Sequence, residues 1–254
     1  MKIYYNGCSL TYGDELKNPT KSAWPTLVSK HYKLDFLNDA VSGGTNDRIV
    51  YRTIKHINEY DFFVIAWTYY ARFTEYNPVN NYEINFNPNI TIDTHKHIDT
   101  DLVDNPHKIT DYAKMYYKYW YNELYELKLW LQQIILLQAL LQKKRKKFIM
   151  LNAIDNNLNK WLQPREKFTN AIALLVCVDA MNDDQLIREH IEIQKLVSLI
   201  NCNTFIGWNE NWHIKELSTE YPIGPRGHIL EEGHNAVAKR VIKHAKRVIK
   251  HAKN

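Results

Sequence analysis

YDFFVIAWT, residues 60–68, is the most strand-like run in the chain: apolar without a break from Phe62 to Trp67 and closed by Thr68. A strand with one wet face alternates apolar and polar residues. A run that does not alternate belongs where both faces are covered, as in a parallel sheet flanked by helices. Upstream, Ile3–Tyr5 is a short β-like run closed by Asn6-Gly7. SAWPTLVSKHY (22–32) predicts a helix with Ser22 as its N-cap, and LDFLNDAV (34–41) a second strand ending at SGGTNDR (42–48). Thr45 or Asn46 can cap the next helix, whose apolar face is Ile49, Val50, Ile54 and Ile57.

Downstream lies a polar, Asn-rich stretch, 76–107, without clear periodicity, which reads as an inserted loop or small subdomain. A long helix is expected over about 111–142, ending at KKRKK, where the basic charge complements the helix dipole. FIMLNAI (148–154) is the next strand, DQLIREHIEIQKLVSLI (184–200) a helix and TFIGW (204–208) the last strand. Strands alternating with helices predict a single α/β domain over 1–254: a flavodoxin-like three-layer α/β/α sandwich with a mostly parallel central sheet and helical and loop insertions.

The bulk numbers suit a globular chain, with 254 residues, 45% hydrophobic and 24% charged. The 17 Tyr and 7 Trp read either as compositional drift or as material for a ring-stacking site. The net charge of +5 is local, because seven basic residues and no acid lie from Lys239 onward and the rest is near neutral. That segment, 239–254, repeats RVIKHAK at 240–246 and 247–253. The repeat places Val241, Ile242 and Ala245 on the same helical face as Val248, Ile249 and Ala252. It reads as a lengthened amphipathic helix, or as a basic surface for a nucleic acid or partner helix.

Three cysteines at unrelated spacings form neither a metal motif nor a disulfide framework. MKIYYNG has no apolar signal core, and LWLQQIILLQALL (129–141) is too short and Gln-rich to span a bilayer. A cytoplasmic protein away from membranes is expected. There is no Walker A or GxGxxG sequence, and the His95–His97 HKH lacks partners at metal spacing, so neither cofactor nor metal is expected.

In parallel sheets the reactive groups gather at the carboxyl ends of the strands. Ser9, Gly43-Gly44 and Trp67-Thr68 each follow a predicted strand and should line one crevice. In NGCSLTYG (6–13), Ser9 reads as a nucleophile or as a turn residue. Cys8 reads as a thiol nucleophile or as a small residue packed inward. A serine needs a base, and GPRGHILEEGHNAVAKRVI (224–242) places His228 on a glycine-flanked loop before the last helix. Glu231 and Glu232 fall in that helix's first turn, and His234 beyond them reads as a packing residue.

These residues resemble the SGNH (GDSL-like) hydrolases. GCSLTYG is similar to the family's first block, SGGTNDR to its second and GHILEEGHNAVA to its last, while VIAWTYYARFTEY (64–76) stands in the place of the third. The likeness is nearest to divergent members found in bacteriophage and marine bacterial genomes. It implies Ser9 as nucleophile, with its own amide as one oxyanion donor, and Gly44 as the second, or Gly43 if the register slips by one. His228 is then the general base. Three positions depart from the pattern. Cys8 replaces an aspartate outside the triad. No asparagine stands in AWTYYARF, so Thr68 or Asn46 would have to supply that donor. Pro225 stands where the triad acid is expected, three residues before the histidine. His228 then works in a dyad, is oriented by a backbone carbonyl or a distant carboxylate, or serves a weak site.

Tyr12, Trp67, Arg72 and Glu75 are the candidate substrate contacts. Arg72 and Glu75 read equally as a solvated i, i+3 ion pair, and Trp67 as a cleft wall or a sugar platform. The resemblance implies a serine esterase or deacylase acting on an ester of a carbohydrate or other small polar molecule through an acyl-enzyme. An acyltransferase using the same residues, or a binding protein that kept the fold, are the alternatives.

Overall fold

The computed structural model describes residues 1–77, 82–86, 106–156, 158 and 183–250. The chain begins with β1 (Ile3–Asn6), the single turn α1 (Ser9–Tyr12), α2 (Pro19–Ser22), α3 (Trp24–Tyr32), β2 (Phe36–Asn38) and α4 (Asn46–Lys55). It continues with β3 (Phe62–Trp67), β4 (Phe73–Asn77), β5 (Tyr82–Phe86), α5 (Pro106–Met115), a π-helical segment (Tyr116–Trp120) and α6 (Glu123–Lys143). Then come β6 (Lys147–Asn152), α7 (Asp183–Ser198), β7 (Phe205–Ile206), a 3₁₀ segment (Ile214–Thr219) and α8 (Glu231–Lys250).

Five strands form one sheet in the order β2-β1-β3-β6-β7, and every pairing in it is parallel. β3 sits at its centre with all six residues fully buried. Its side chains alternate between two cores. Phe62, Val64 and Ala66 pack with Trp24 and Val28 of α3 and Val237, Val241 and Ala245 of α8. Phe63, Ile65 and Trp67 pack with Ile49 of α4, Leu127, Leu131 and Ile134 of α6 and Ile193 of α7. Each of the Phe, Val, Ile and Leu side chains among them contributes roughly 1.5–3 kcal/mol of transfer free energy. The result is the expected three-layer α/β/α sandwich.

Several boundaries differ from the sequence reading, each for a local reason. Ser22 does not cap the first long helix: Ala23 does, without a side-chain bond, and Pro25 occupies the first turn, where its missing N–H costs nothing. The long helix expected over 111–142 is two helices joined by the π-helical segment. Asn122 restarts the chain as an N-cap, accepting a hydrogen bond from Tyr125 N at 3.0 Å. β2 is only three residues long, because the chain leaves the sheet at Asp39.

The insertion contains strand structure that its polarity concealed: β4 and β5 pair antiparallel as a separate hairpin. The rest of the 76–107 stretch, including His95–His97, lies outside the described residues apart from the start of α5, as do Cys177 and the last four residues. Along α8, Val241 and Ala245 are buried and Ile242 and Val248 pack against them, while Lys239, Lys243 and Lys246 face outward. That distribution is the amphipathic pattern read from the repeat. Among the described residues no helix is long and apolar enough to cross a membrane.

Candidate active site

The carboxyl ends of β1 and β3 and the loops that follow β2 and β3 meet along one edge of the sheet. β1 ends at Asn6, whose side chain accepts from Gly7 N (2.8 Å) and donates to Tyr4 Oη (2.9 Å), fixing the exit of the chain. Cys8 then turns the backbone, its carbonyl accepting from Thr11 and Tyr12 N at 2.9 Å, and Ser9 opens α1. Cys8 is fully buried beside Tyr5, Leu10 and Trp24. It packs as a small hydrophobe, and its thiol does not reach the crevice.

The second loop is built by two glycines with different tasks. Val41–Gly44 form a turn closed by Gly44 N–H to Val41 O (3.1 Å), and Gly43 takes its positive φ of 70°. Gly44 is required by contact: a Cβ there would stand 2.7 Å from Gly7 O and 3.4 Å from Cys8 Cα. The loop backbone therefore lies directly against the segment leading into Ser9. Since the Gly44 amide closes the turn, Gly43 is the one of the pair whose N–H makes no hydrogen bond among the described residues.

A buried ionic cluster anchors the start of this loop. Asp39 accepts a two-pronged contact from Arg52 (2.9 and 2.9 Å) and a hydrogen bond from Tyr4 Oη (2.8 Å), while Arg48 Nη1 donates to Asp39 O (2.8 Å). Burial raises the Asp39 pKa, but the bonds from Arg52 and Tyr4 and the Arg48 charge outweigh it and hold the carboxyl below its ordinary value. Asn46, a candidate oxyanion donor, spends its carbonyl and one of its two N–H groups on Thr68. Its Oδ1 accepts from Thr68 N (3.0 Å) and its Nδ2 donates to Thr68 O (3.2 Å), clamping the end of β3 to the start of α4. Thr68 Oγ1 is fully buried and has no partner among the described residues.

His228 comes from the far end of the chain to the segment that begins at Ser9. Its Nδ1 lies 2.7 Å from Glu15 Oε2, and its backbone N–H donates to the same oxygen at 3.0 Å. Arg226 N–H donates to Glu15 Oε1 at 2.7 Å. Burial opposes the charged Glu15, but these two amides and the His228 ring prevail, and its carboxyl is held below the ordinary range. Glu15 escaped the sequence reading because a search for the acid looks close to the histidine. Ser9 Oγ makes no hydrogen bond among the described residues. Serine–base contacts are commonly long before substrate binds.

The model of a family described as "Family of unknown function (DUF6071)" matches residues 14–173, more than half of the chain. The chain belongs to DUF6071. No curated protein matches this DUF6071 chain. Among solved structures it is similar to TesA, at 11% identity and a TM-score of 0.50, covering 98% of this chain and 99% of that one. It is also similar to EstA, a psychrotrophic esterase from a Pseudoalteromonas species, at 11% identity, TM-score 0.46 and 98% coverage of both chains. A third neighbour is a catalytic mutant of Axe2, an acetylxylan esterase from Geobacillus stearothermophilus, at 14% identity and TM-score 0.45, covering 96% of this chain and 93% of that one. At these identities the likeness is one of fold alone.

The candidate substrate residues of the DUF6071 chain separate. Tyr12 is exposed. Trp67 is corrected: as the last residue of β3 it continues the alternation of Phe63 and Ile65 into the core and is fully buried, so it neither walls the cleft nor meets a sugar. Arg72 and Glu75 are not an ion pair. Glu75 accepts from Tyr112 Oη (2.9 Å), whereas Arg72 Nη1 reaches Gly44 O at 3.5 Å. Half-buried Arg72 has no carboxylate partner among the described residues. His234 is packed as expected: it is fully buried, and its Nδ1 accepts from Trp24 N at 3.2 Å. Among the described residues no group of three or more His, Cys, Asp or Glu could hold a metal ion.

Proposed function

We propose that the chain is an SGNH-type serine esterase or deacylase in which Ser9 is the nucleophile and His228 the general base. The observation that carries this reading is the convergence of three separate segments. The Gly43-Gly44 loop packs its backbone on Gly7 and Cys8, and the His228 loop is hydrogen-bonded to Glu15 on the chain just after Ser9. Ser9 Oγ attacks the ester carbonyl while its proton passes to His228 Nε2. The tetrahedral oxyanion is met by the Ser9 N–H and by the glycine loop, with Gly43 favoured because the Gly44 amide is engaged. Collapse expels the alcohol, which takes the proton back from His228. Water, activated by the same base, then releases the acid.

Arg72 beside the Gly44 carbonyl supports a polar substrate, such as a carbohydrate ester, over a long-chain lipid. No asparagine stands in AWTYYARF, where the resemblance leads one to expect a side-chain donor, which leaves that place to the second Asn46 N–H or to the Thr68 hydroxyl, unpartnered among the described residues. Losing such a donor altogether typically costs about 10²–10³-fold in rate. The departure also favours, as a second reading, a binding protein with residual reactivity. An acyltransferase would use the same groups with an alcohol in place of water.

The test is turnover of short p-nitrophenyl esters and labelling by a fluorophosphonate, each with wild type and Ser9→Ala. Activity and labelling that vanish in the variant support the esterase. Absent labelling, or labelling that survives without Ser9, overturns it.

A further inference from the structure

We propose that Glu15 is the positioning carboxylate for His228, and that it also docks the histidine loop onto the nucleophile's segment. Its catalytic meaning rests on the esterase reading; its geometry does not. The position where the resemblance places an acid is occupied by Pro225, which has no acidic group. The imidazole is instead met from the other end of the sequence, six positions beyond Ser9 and just past the first block.

The arrangement is built on both sides. Both carboxylate oxygens are used: Oε1 accepts from Arg226 N (2.7 Å), and Oε2 accepts from His228 N (3.0 Å) and meets the ring nitrogen at 2.7 Å. The last distance is at the short end for a nitrogen donor, as charge-assisted bonds are. On the donating side, the loop closes on itself around the carboxylate, with Gly224 N–H to His228 O and Gly227 N–H to Gly224 O, each at 2.8 Å. Gly224 leaves the room: a Cβ there would stand 2.6 Å from Glu15 Cδ and 2.7 Å from Oε1. On the accepting side, Glu15 itself adopts φ 67°, a left-handed conformation that costs a non-glycine residue on the order of 1 kcal/mol. Such a conformation persists only where surrounding contacts hold it.

Neighbouring acids do not compete for this place. Asp14 accepts from Ser42 Oγ at 2.5 Å, and no hydrogen bond among the described residues joins Glu231 or Glu232 to the ring. The chemistry that follows is specific. A carboxylate accepts, so the neutral ring must carry its hydrogen on Nδ1, which leaves the Nε2 lone pair to take the Ser9 proton. The imidazolium then formed stands beside a negative charge, and Glu15 keeps its charge throughout. Replacing Glu15 by glutamine turns an acceptor into an amide whose N–H can donate to Nδ1, moving the ring hydrogen to Nε2, where it blocks the base.

The test reads the tautomer of the neutral His228 ring by long-range ¹H–¹⁵N correlation. Wild type and Glu15→Gln are compared, with His228 assigned through a His228→Gln variant. The expected result is Nδ1–H in wild type and Nε2–H in Glu15→Gln. Ser9-dependent ester turnover should fall about a thousandfold or more in kcat with KM nearly unchanged. A contact that only held the loop would lower stability but leave the kcat of the folded protein unchanged. Formate added to Glu15→Ala, which exposes the two amides and Nδ1, should recover part of kcat. A wild-type ring protonated on Nε2, or the same tautomer in both proteins, overturns the proposal. Lack of ester turnover with the tautomer switch intact counts against the esterase reading only.

Discussion

His234 carries a measurable dependence of stability on pH. It sits on α8 with no exposed surface, its Nδ1 accepts from Trp24 N, and its Nε2 has no acceptor among the described residues. Burial foremost, and then the charge of nearby His228, push its pKa from 6.5 down to about 4. The unfolded chain gains a proton here as pH falls below 6.5, while the folded protein refuses it until about 4. Stability therefore drops as pH falls through that window and loses no more from this group below it. At about 1.4 kcal/mol per pH unit the loss is about 3 kcal/mol, a sizeable part of the roughly 5–15 kcal/mol typical of a domain. Urea unfolding followed by tryptophan fluorescence, at about pH 7 and about pH 4, would measure it against His234→Asn, whose carbonyl can still accept from Trp24. Wild type should lose about 3 kcal/mol more than the variant between the two conditions. Equal losses would mean that His234 titrates alike in both states, and the argument from burial would be refuted.

Two further perturbations probe the loop that frames the nucleophile. Gly44→Ala must push apart two backbones and should cost about 1–3 kcal/mol in stability and about 100-fold in turnover, whereas Gly43→Ala meets nothing within 4 Å and should cost only the roughly 1 kcal/mol of its left-handed φ. Thermal melts resolve the difference at about 2–4 °C per kcal/mol, and equal shifts in both variants would show that the contact with Gly7 is not the constraint. Asp39→Asn leaves the buried Arg48 and its neighbour Arg52 without their carboxylate and should destabilise by about 3–5 kcal/mol in urea unfolding; a loss below about 1 kcal/mol would contradict the cluster's anchoring role.

Local pattern was enough to identify the sandwich, because unbroken apolar runs such as Phe62–Trp67 admit few environments and helix periodicity supplies the flanking layers. Ser9, the glycine pair and His228 were read as blocks in order, and the fold brings the segments that carry them together. Trp67 was misread although the period-2 alternation through Phe63 and Ile65 already pointed it into the core. The β4–β5 hairpin was hidden by polar residues that pair through their backbones, a contact to which composition is blind.

What the chain alone determined, then, was the layered sheet and the strand ends where chemistry gathers, since both follow from periodicity over a few residues. The roles of Asn46, Gly44 and Glu15 were decided only when distant segments met. An amide clamps whichever backbone groups come within reach, and a glycine is demanded by a chain that approaches from elsewhere. A carboxylate orients a histidine through 2.7 Å of space, whatever their separation in sequence. The carboxylate that meets the His228 ring is Glu15, six positions after Ser9 in the chain, because the fold brings the last loop back to the first turn.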